Sequence, residues 1–126
     1  TTLNQTLANG PVTYATTAGG LHTVTNGTVT RGDVGWVHHD GVGYLLHGAS
    51  QSVTLRSVAQ SGSWSAINQN QSNATVTLDV FSLQVNHGAR PAGGTYAYVV
   101  VPGVSADAMA SYAANVPLTV LENRPA

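Results

Sequence analysis

Apolar and polar residues alternate with a period of two through most of the chain, the spacing that turns one face of a β-strand toward a core. "PVTYATT" opens the pattern, and "GGLHTVTNGTVTRGDVGWV" carries it onward. "SVTLRSVAQ", "VTLDVFSLQVN" and "TYAYVVVP" supply further strands, separated by the polar, Gly-bearing loops "SGSWSAINQNQSN" and "HGARPAGG". Two dipeptides of hairpin type, Asn26-Gly27 and Asp40-Gly41, predict tight turns. The pattern changes phase once, in "VTLDVFSLQV". Val76, Leu78 and Val80 share one face there, while Phe81, Leu83 and Val85 share the other. That predicts either a bulge or a strand buried on both sides.

Only "SADAMASYAAN" has a helical reading. Ser105 is placed to cap it, Asp107 falls in the first turn, and the Ala-rich body ends before Pro117. Many strands followed by one short helix near the C-terminus indicate an all-β, antiparallel β-sandwich. No repeat, low-complexity run or linker divides the sequence, so residues 1–126 read as a single domain.

Composition narrows the partners. The 126 residues suffice to bury roughly two-thirds of the unfolded surface. Four Arg and no Lys stand against four Asp and one Glu, a formal charge of −1. No basic patch is available for nucleic acid, and no cationic face for an anionic membrane. No apolar run approaches the ~20 residues of a membrane-spanning helix. Cysteine is absent, so disulfides are excluded. The first residue is Thr, which leads us to expect a processed protein or part of a longer one. Few charges with abundant Thr, Ser, Asn, Gln and Gly fit an extracellular β-protein, so a secreted location is expected. Asn-x-Ser/Thr triplets occur at Asn4, Asn26, Asn70 and Asn73, and matter only in a eukaryotic secretory route.

Candidate chemistry clusters in "GWVHHDGVGYLLHG", Gly35 to Gly48, with three His and one Asp. Taking Asp40-Gly41 as a type I′ turn gives strands at about 34–39 and 42–47. His39 then faces Val42, Val37 faces Tyr44, and Trp36 faces Leu45. Successive strand residues point to opposite faces, so His38 and His39 cannot share a metal. His38 and His47 share a face but lack a third ligand, whereas zinc takes three or four donors at about 2 Å. The favoured reading makes these histidines partners of strand-end carbonyls and turn groups; a metal or catalytic role is the alternative. No cofactor or metal is expected. Asp33 and Asp40 are read as turn residues in preference to a glycosidase pair. Trp36, Tyr44, Tyr96 and Tyr98 are read as core, against a sugar-stacking platform, and Trp64 is set apart by its polar loop.

Several segments together resemble one family: "TTLNQ", "WVHHDGVGYLL", "GSWSAIN", "FSLQVNHGARPAGGTYAYVVVPG" and "VPLTVLEN". In this order they are similar to the central β-domain of the family 8 polysaccharide lyases, which cleave hyaluronan, chondroitin or xanthan. The shared positions here are Gly62, Trp64, Ile67 and Asn68, then His87 and Gly88, then Tyr96, Ala97, Tyr98 and Pro102. One departure is Asn86, where the family commonly has Asp. The resemblance implies a portion of a larger supersandwich, its C-terminal part, with a helical toroid ahead of it and a smaller β-domain after it. It also implies β-elimination at a uronic acid. The family's Asn, His/Tyr pair and Arg lie on the toroid, so no catalytic residue is assigned in this chain.

The expected role is a non-catalytic segment that supports the substrate cleft. Its partners would be the toroid of the same enzyme and an acidic polysaccharide. Trp64, Asn68, His87 and Arg90 are the candidate substrate-binding residues: one stacking group, two neutral polar groups and a cation suited to a carboxylate. In the plainer reading, Trp64 plugs the sandwich end while Asn68 and His87 satisfy loop backbone. Alternatives for the whole chain are a free-standing carbohydrate-binding module, an adhesive sandwich with no sugar partner and, last, a metal-dependent hydrolase. Open sheet edges would also allow edge-to-edge dimers.

Overall fold

The computed structural model describes residues 1–47 and 51–124. Its strands are β1 (Thr2–Leu7), β2 (Val12–Thr16), β3 (Leu21–Val24), β4 (Gly27–Arg31), β5 (Val34–His39), β6 (Val42–His47), β7 (Ser52–Gly62), β8 (Val76–Asn86) and β9 (Ala97–Pro102). A four-stranded sheet has the order β1-β8-β7-β4, and a five-stranded sheet the order β3-β2-β5-β6-β9. Every pairing is antiparallel. The short helix α1 (Ala106–Ala114) follows. This is the β-sandwich expected from the alternating pattern.

The β5–β6 hairpin forms in the expected register, with pairs His39 to Val42, Val37 to Tyr44 and Trp36 to Leu45. Asp40 (φ 48°) and Gly41 (φ 74°) both adopt the left-handed region that a type I′ turn needs. Gly48, the last residue of the histidine-rich stretch, lies outside the described residues. Asn26-Gly27 behaves differently. β3 pairs with β2, whereas β4 pairs with β7 of the other sheet, so this dipeptide is a crossing between sheets and not a hairpin turn. Gly27 has a positive φ (135°) and Asn26 does not, which rules out the type I′ geometry.

Between the sheets lie Val12, Tyr14, Val34, Val37, Val53, Leu55, Phe81 and Leu83, all buried. Burying each large apolar side chain contributes about 1.5–3 kcal/mol. β5 supplies both Val34 and Val37, three positions apart, because the register against β2 shifts there: Ala15 pairs with Trp36, but Thr16 with Val34. The extra residue, Gly35, is the bulge. Trp36 therefore turns to the outer face. There it joins Ala15, Leu45 and the fully buried Met109 of α1 in a second core, flanked by Val99, Val101 and Tyr112. Helix α1 starts as expected: Ser105 Oγ accepts from the Ala108 N–H at 3.1 Å.

The phase change in β8 has neither of the expected causes. Its pairing with β7 runs unbroken from Asn86–Ser52 to Val76–Gly62. Phe81, Leu83 and Val85 enter the core, while Val76 and Leu78 stay exposed on the outer face. The β7–β8 hairpin runs past its neighbours. β1 stops opposite Val80 and β4 opposite Ser57, so the hairpin tip carries apolar residues with nothing across from them.

Candidate functional site

The four candidate binding residues separate into two pairs. Trp64 and Asn68 follow β7, in the loop beginning with a 3-10 turn over Trp64–Ala66. His87 and Arg90 follow the opposite end of β8. An 11-residue strand at about 3.3 Å per residue sets the two ends roughly 30 Å apart. One monosaccharide cannot touch both.

At the hairpin tip, Trp64 is 60% exposed and Ile67 is 80% exposed. They border a groove of about 290 Å³ with Gln60, Val76, Leu78 and Val80. Trp64 does not plug the sandwich. Asn68 is occupied locally, since its Oδ1 accepts from the Asn70 N–H at 3.0 Å, an Asx turn that stabilises the loop.

The other end is built more densely. A cleft of about 300 Å³ opens between the start of β7, the end of β8 and the loop that follows, lined by Gln51, Asn86, His87, Arg90 and Gly94 among others. The His87 Nε2 shares a 3.0 Å hydrogen bond with Thr1 Oγ1. Its ring also tilts against Tyr96, with centroids 5.3 Å apart, and Tyr96 in turn lies nearly parallel to Tyr98 at 6.2 Å. A Cβ on Gly94 would meet the His87 Nδ1 at 3.1 Å, so the missing side chain lets the loop pass close over the imidazole. Asn86 Nδ2 donates to Thr54 Oγ1 at 2.9 Å and to Ser52 Oγ at 3.3 Å. An Asn in place of the family's Asp thus acts as a hydrogen-bond donor at this position.

Two polar groups of this cleft have no partner among the described residues. Among the described residues, no carboxylate lies within ion-pair distance of Arg90, and no acidic residue lines the cleft. The Gln51 Nε2 donates to the His47 carbonyl at 3.4 Å, while its Oε1 has no hydrogen-bond partner among the described residues. Tyr96 and Tyr98 are not core, being 37% and 39% exposed, whereas Trp36 and Tyr44 are buried. They lie at β9, the edge of the five-stranded sheet. The cue for their exposure is position in the sheet, which local spacing does not encode.

The histidine-rich hairpin is structural in its contacts. His38 Nε2 donates to the Val104 carbonyl at 2.7 Å, and His39 Nε2 accepts from the Asn9 N–H at 3.0 Å. The two imidazoles lie on opposite faces of β5. Among the described residues no three His, Cys, Asp or Glu side chains group as metal ligands. Asp33 accepts from Arg31 Nε and Nη2, each at 2.7 Å, which lowers its carboxyl below the usual range. Asp40 accepts from Asn9 Nδ2 at 2.9 Å. The two carboxylates sit at opposite ends of β5, roughly 20 Å apart, and glycosidase pairs need less than half that. Asn4 donates to the buried Tyr44 hydroxyl, so the first Asn-x-Thr triplet points into the sandwich.

Comparison with known proteins agrees with this architecture. Chondroitinase-AC of Pedobacter heparinus is 42% identical over 106 residues, covering 83% of this chain and 15% of that protein. Xanthan lyase of Bacillus sp. (strain GL1) is 30% identical, covering 91% of this chain and 13% of that protein. The chain therefore spans about one-seventh of the length of these relatives. The model for the super-sandwich domain of polysaccharide lyase family 8 matches residues 1–113, and the chain belongs to that family.

Proposed function

We propose that this chain is a non-catalytic β-sandwich segment of a secreted polysaccharide lyase that cleaves uronic-acid-containing glycans by β-elimination. It braces the substrate cleft against the helical toroid of the same enzyme. β-Elimination requires a carboxylate to be neutralised, the C5 proton to be removed, and a proton to be given to the departing C4 oxygen. The last two tasks need an acid and a base within hydrogen-bond reach of one sugar ring.

The observation that carries the reading is how the chain spends its histidines and tyrosines. Among the described residues two His–Tyr ring neighbours exist, Tyr14 with His22 at 5.0 Å between ring centroids and His87 with Tyr96 at 5.3 Å. Both are ring-to-ring contacts. Tyr14 is buried, and the Arg31 beside it is committed to Asp33. The His87 Nε2 is engaged by Thr1. Neither pair presents a base and an acid to a common open point. A secreted location fits the low charge of the sequence and a polymeric substrate that the whole enzyme meets outside the cell.

The test is incubation of the chain with hyaluronan, chondroitin and xanthan while following absorbance of the unsaturated product. No turnover is expected, and sustained turnover would overturn the reading. A second reading, a carbohydrate-binding module, is favoured by the exposure of Trp64, Tyr96 and Tyr98. Glycan binding that is unchanged when the rest of the lyase is absent would support it.

A further inference from the structure

We propose that Asn26, at the crossing from β3 to β4, is a site of spontaneous covalent modification. Its side-chain amide is lost to water and the residue becomes aspartate or isoaspartate, while Asn9 is protected from the same reaction by its bond to Asp40. This chemistry needs no sugar and goes beyond the lyase reading.

Loss of the amide begins when the backbone nitrogen of the following residue attacks the side-chain carbonyl carbon. A side chain on that residue screens the nitrogen, and glycine has none. Two asparagines precede glycine in this sequence, Asn9 and Asn26. At Asn26 the Gly27 nitrogen gives its proton to solvent and forms a bond to Cγ. The Cγ–Nδ2 bond then breaks, and the amide nitrogen takes up a proton and leaves as ammonia. Water opens the resulting succinimide ring at either carbonyl. One opening gives aspartate; the other carries the main chain through the side chain and gives isoaspartate. The sum is addition of water and release of ammonia, with no change of oxidation state.

Both asparagines are exposed, and the fold separates them by other means. Asn9 is held twice. Its Nδ2 donates to Asp40 Oδ1 at 2.9 Å, and its backbone N–H donates to His39 Nε2 at 3.0 Å. The amide must leave a charge-assisted bond before its carbonyl carbon can turn to the Gly10 nitrogen. Among the described residues Asn4, Asn9, Asn68 and Asn86 hydrogen-bond through their side-chain amides, and Asn26 does not. Asn26 also lies outside the ladders. β3 ends at Val24 and β4 begins at Gly27, in different sheets, so residues 25 and 26 form an unpaired bend. Gly27 has φ 135°, a conformation that favours glycine, so the fold itself keeps the attacking nitrogen unscreened.

The products fall at a junction. Asn26 lines a cleft of about 370 Å³ with Thr25, Ser57 and Asp79. A carboxylate at position 26 adds a second negative charge to the cleft that Asp79 already lines. Isoaspartate also lengthens the main chain by one methylene where it passes from one sheet to the other.

Incubation of the folded chain in warm, mildly alkaline buffer, followed by peptide mapping and isoaspartyl methyltransferase labelling, tests the assignment. A parallel incubation in concentrated urea removes the fold, and there the two asparagines should react at similar rates. In the folded chain Asn26 should react about tenfold faster than Asn9, the rate equivalent of the hydrogen bond that Asn9 must first break. Asp40→Gly suits the left-handed turn and removes the acceptor, so it should raise Asn9 toward the rate of Asn26. Equal rates at the two sites of the folded chain, an Asn26 that reacts only in urea, or an Asn9 still protected in Asp40→Gly would overturn the proposal. Should Asp40→Gly fail to fold, the folded and urea rates of the parent chain decide.

Discussion

His39 lies against Phe81 with ring centroids 4.3 Å apart, 1% exposed, and its Nε2 accepts the backbone N–H of Asn9. The stacked pair joins the two sheets, since His39 ends β5 and Phe81 is central in β8. Accepting at Nε2 requires the neutral imidazole protonated at Nδ1. Burial holds the His39 pKa below its ordinary 6.5, against the opposing pull of Asp40.

The sign of the pH dependence follows. The unfolded chain takes up a proton near 6.5 and the folded chain only at lower pH, so protonation favours unfolding. The contribution of His39 is fully present above pH 6.5 and is lost as pH falls through that value toward the folded pKa. Denaturant unfolding at pH 8, 6 and 5 should show this loss. His39→Gln should be less stable at pH 8 yet flatter with pH. An unchanged slope in the variant would remove His39 as the cause.

Helix α1 buries one residue fully, with Tyr112 and Ala113 packed beside it. Met109 is fully buried, and a Cβ on Gly43 would lie 2.3 Å from its Sδ and 3.1 Å from Val104 Cγ1. Met109→Ala should cost about 2–5 kcal/mol. Gly43→Ala should cost about 1–3 kcal/mol through overpacking. Thermal melts of both variants against the parent check this.

Gly94 keeps its place for steric reasons. Its backbone φ is ordinary, so alanine strains nothing locally, but the added methyl would press on the His87 Nδ1. Gly94→Ala should shift the His87 ring resonances in NMR spectra of the chain. Global stability should stay within about 0.5 kcal/mol of the parent, as for other surface changes.

The hairpin tip predicts association. Leu7 and Val80 are directly opposed, and Leu7, Leu78, Val76, Trp64 and Ile67 are all exposed around the same tip. The free side of β1 adds an edge open to strand pairing. The chain in isolation should self-associate as concentration rises, and Leu78→Thr should reduce it. Light scattering giving a monomer at every concentration would refute this.

How much of this was legible depended on how local the cause was. Asp40-Gly41 named its hairpin because both turn residues carry the required conformation and the paired residues lie within nine positions of each other. Asn26-Gly27 carried the same cue, but β3 and β4 find their partners at β2 and β7, which no dipeptide reveals. The alternating pattern identified which residues of β8 face together. It left open which face meets solvent, because that depends on where β1 and β4 stop. The candidate residues were correctly placed in loops, yet their division into two ends was hidden until β8 proved to run straight between them. Gln51 went unnoticed, since nothing in the sequence marks a glutamine whose oxygen will be buried without a donor.

The bulge at Gly35 has a wider mechanical meaning. By inserting one residue, it lets Val34 and Val37 share the core between the sheets and leaves Trp36 to the compartment under the helix. Load applied to α1, whether by a docking domain or by a pulling force, is thereby passed across one peptide bond into the sandwich. The two compartments should yield together as a single cooperative unit, and whatever grips the helix also tensions the far sheet.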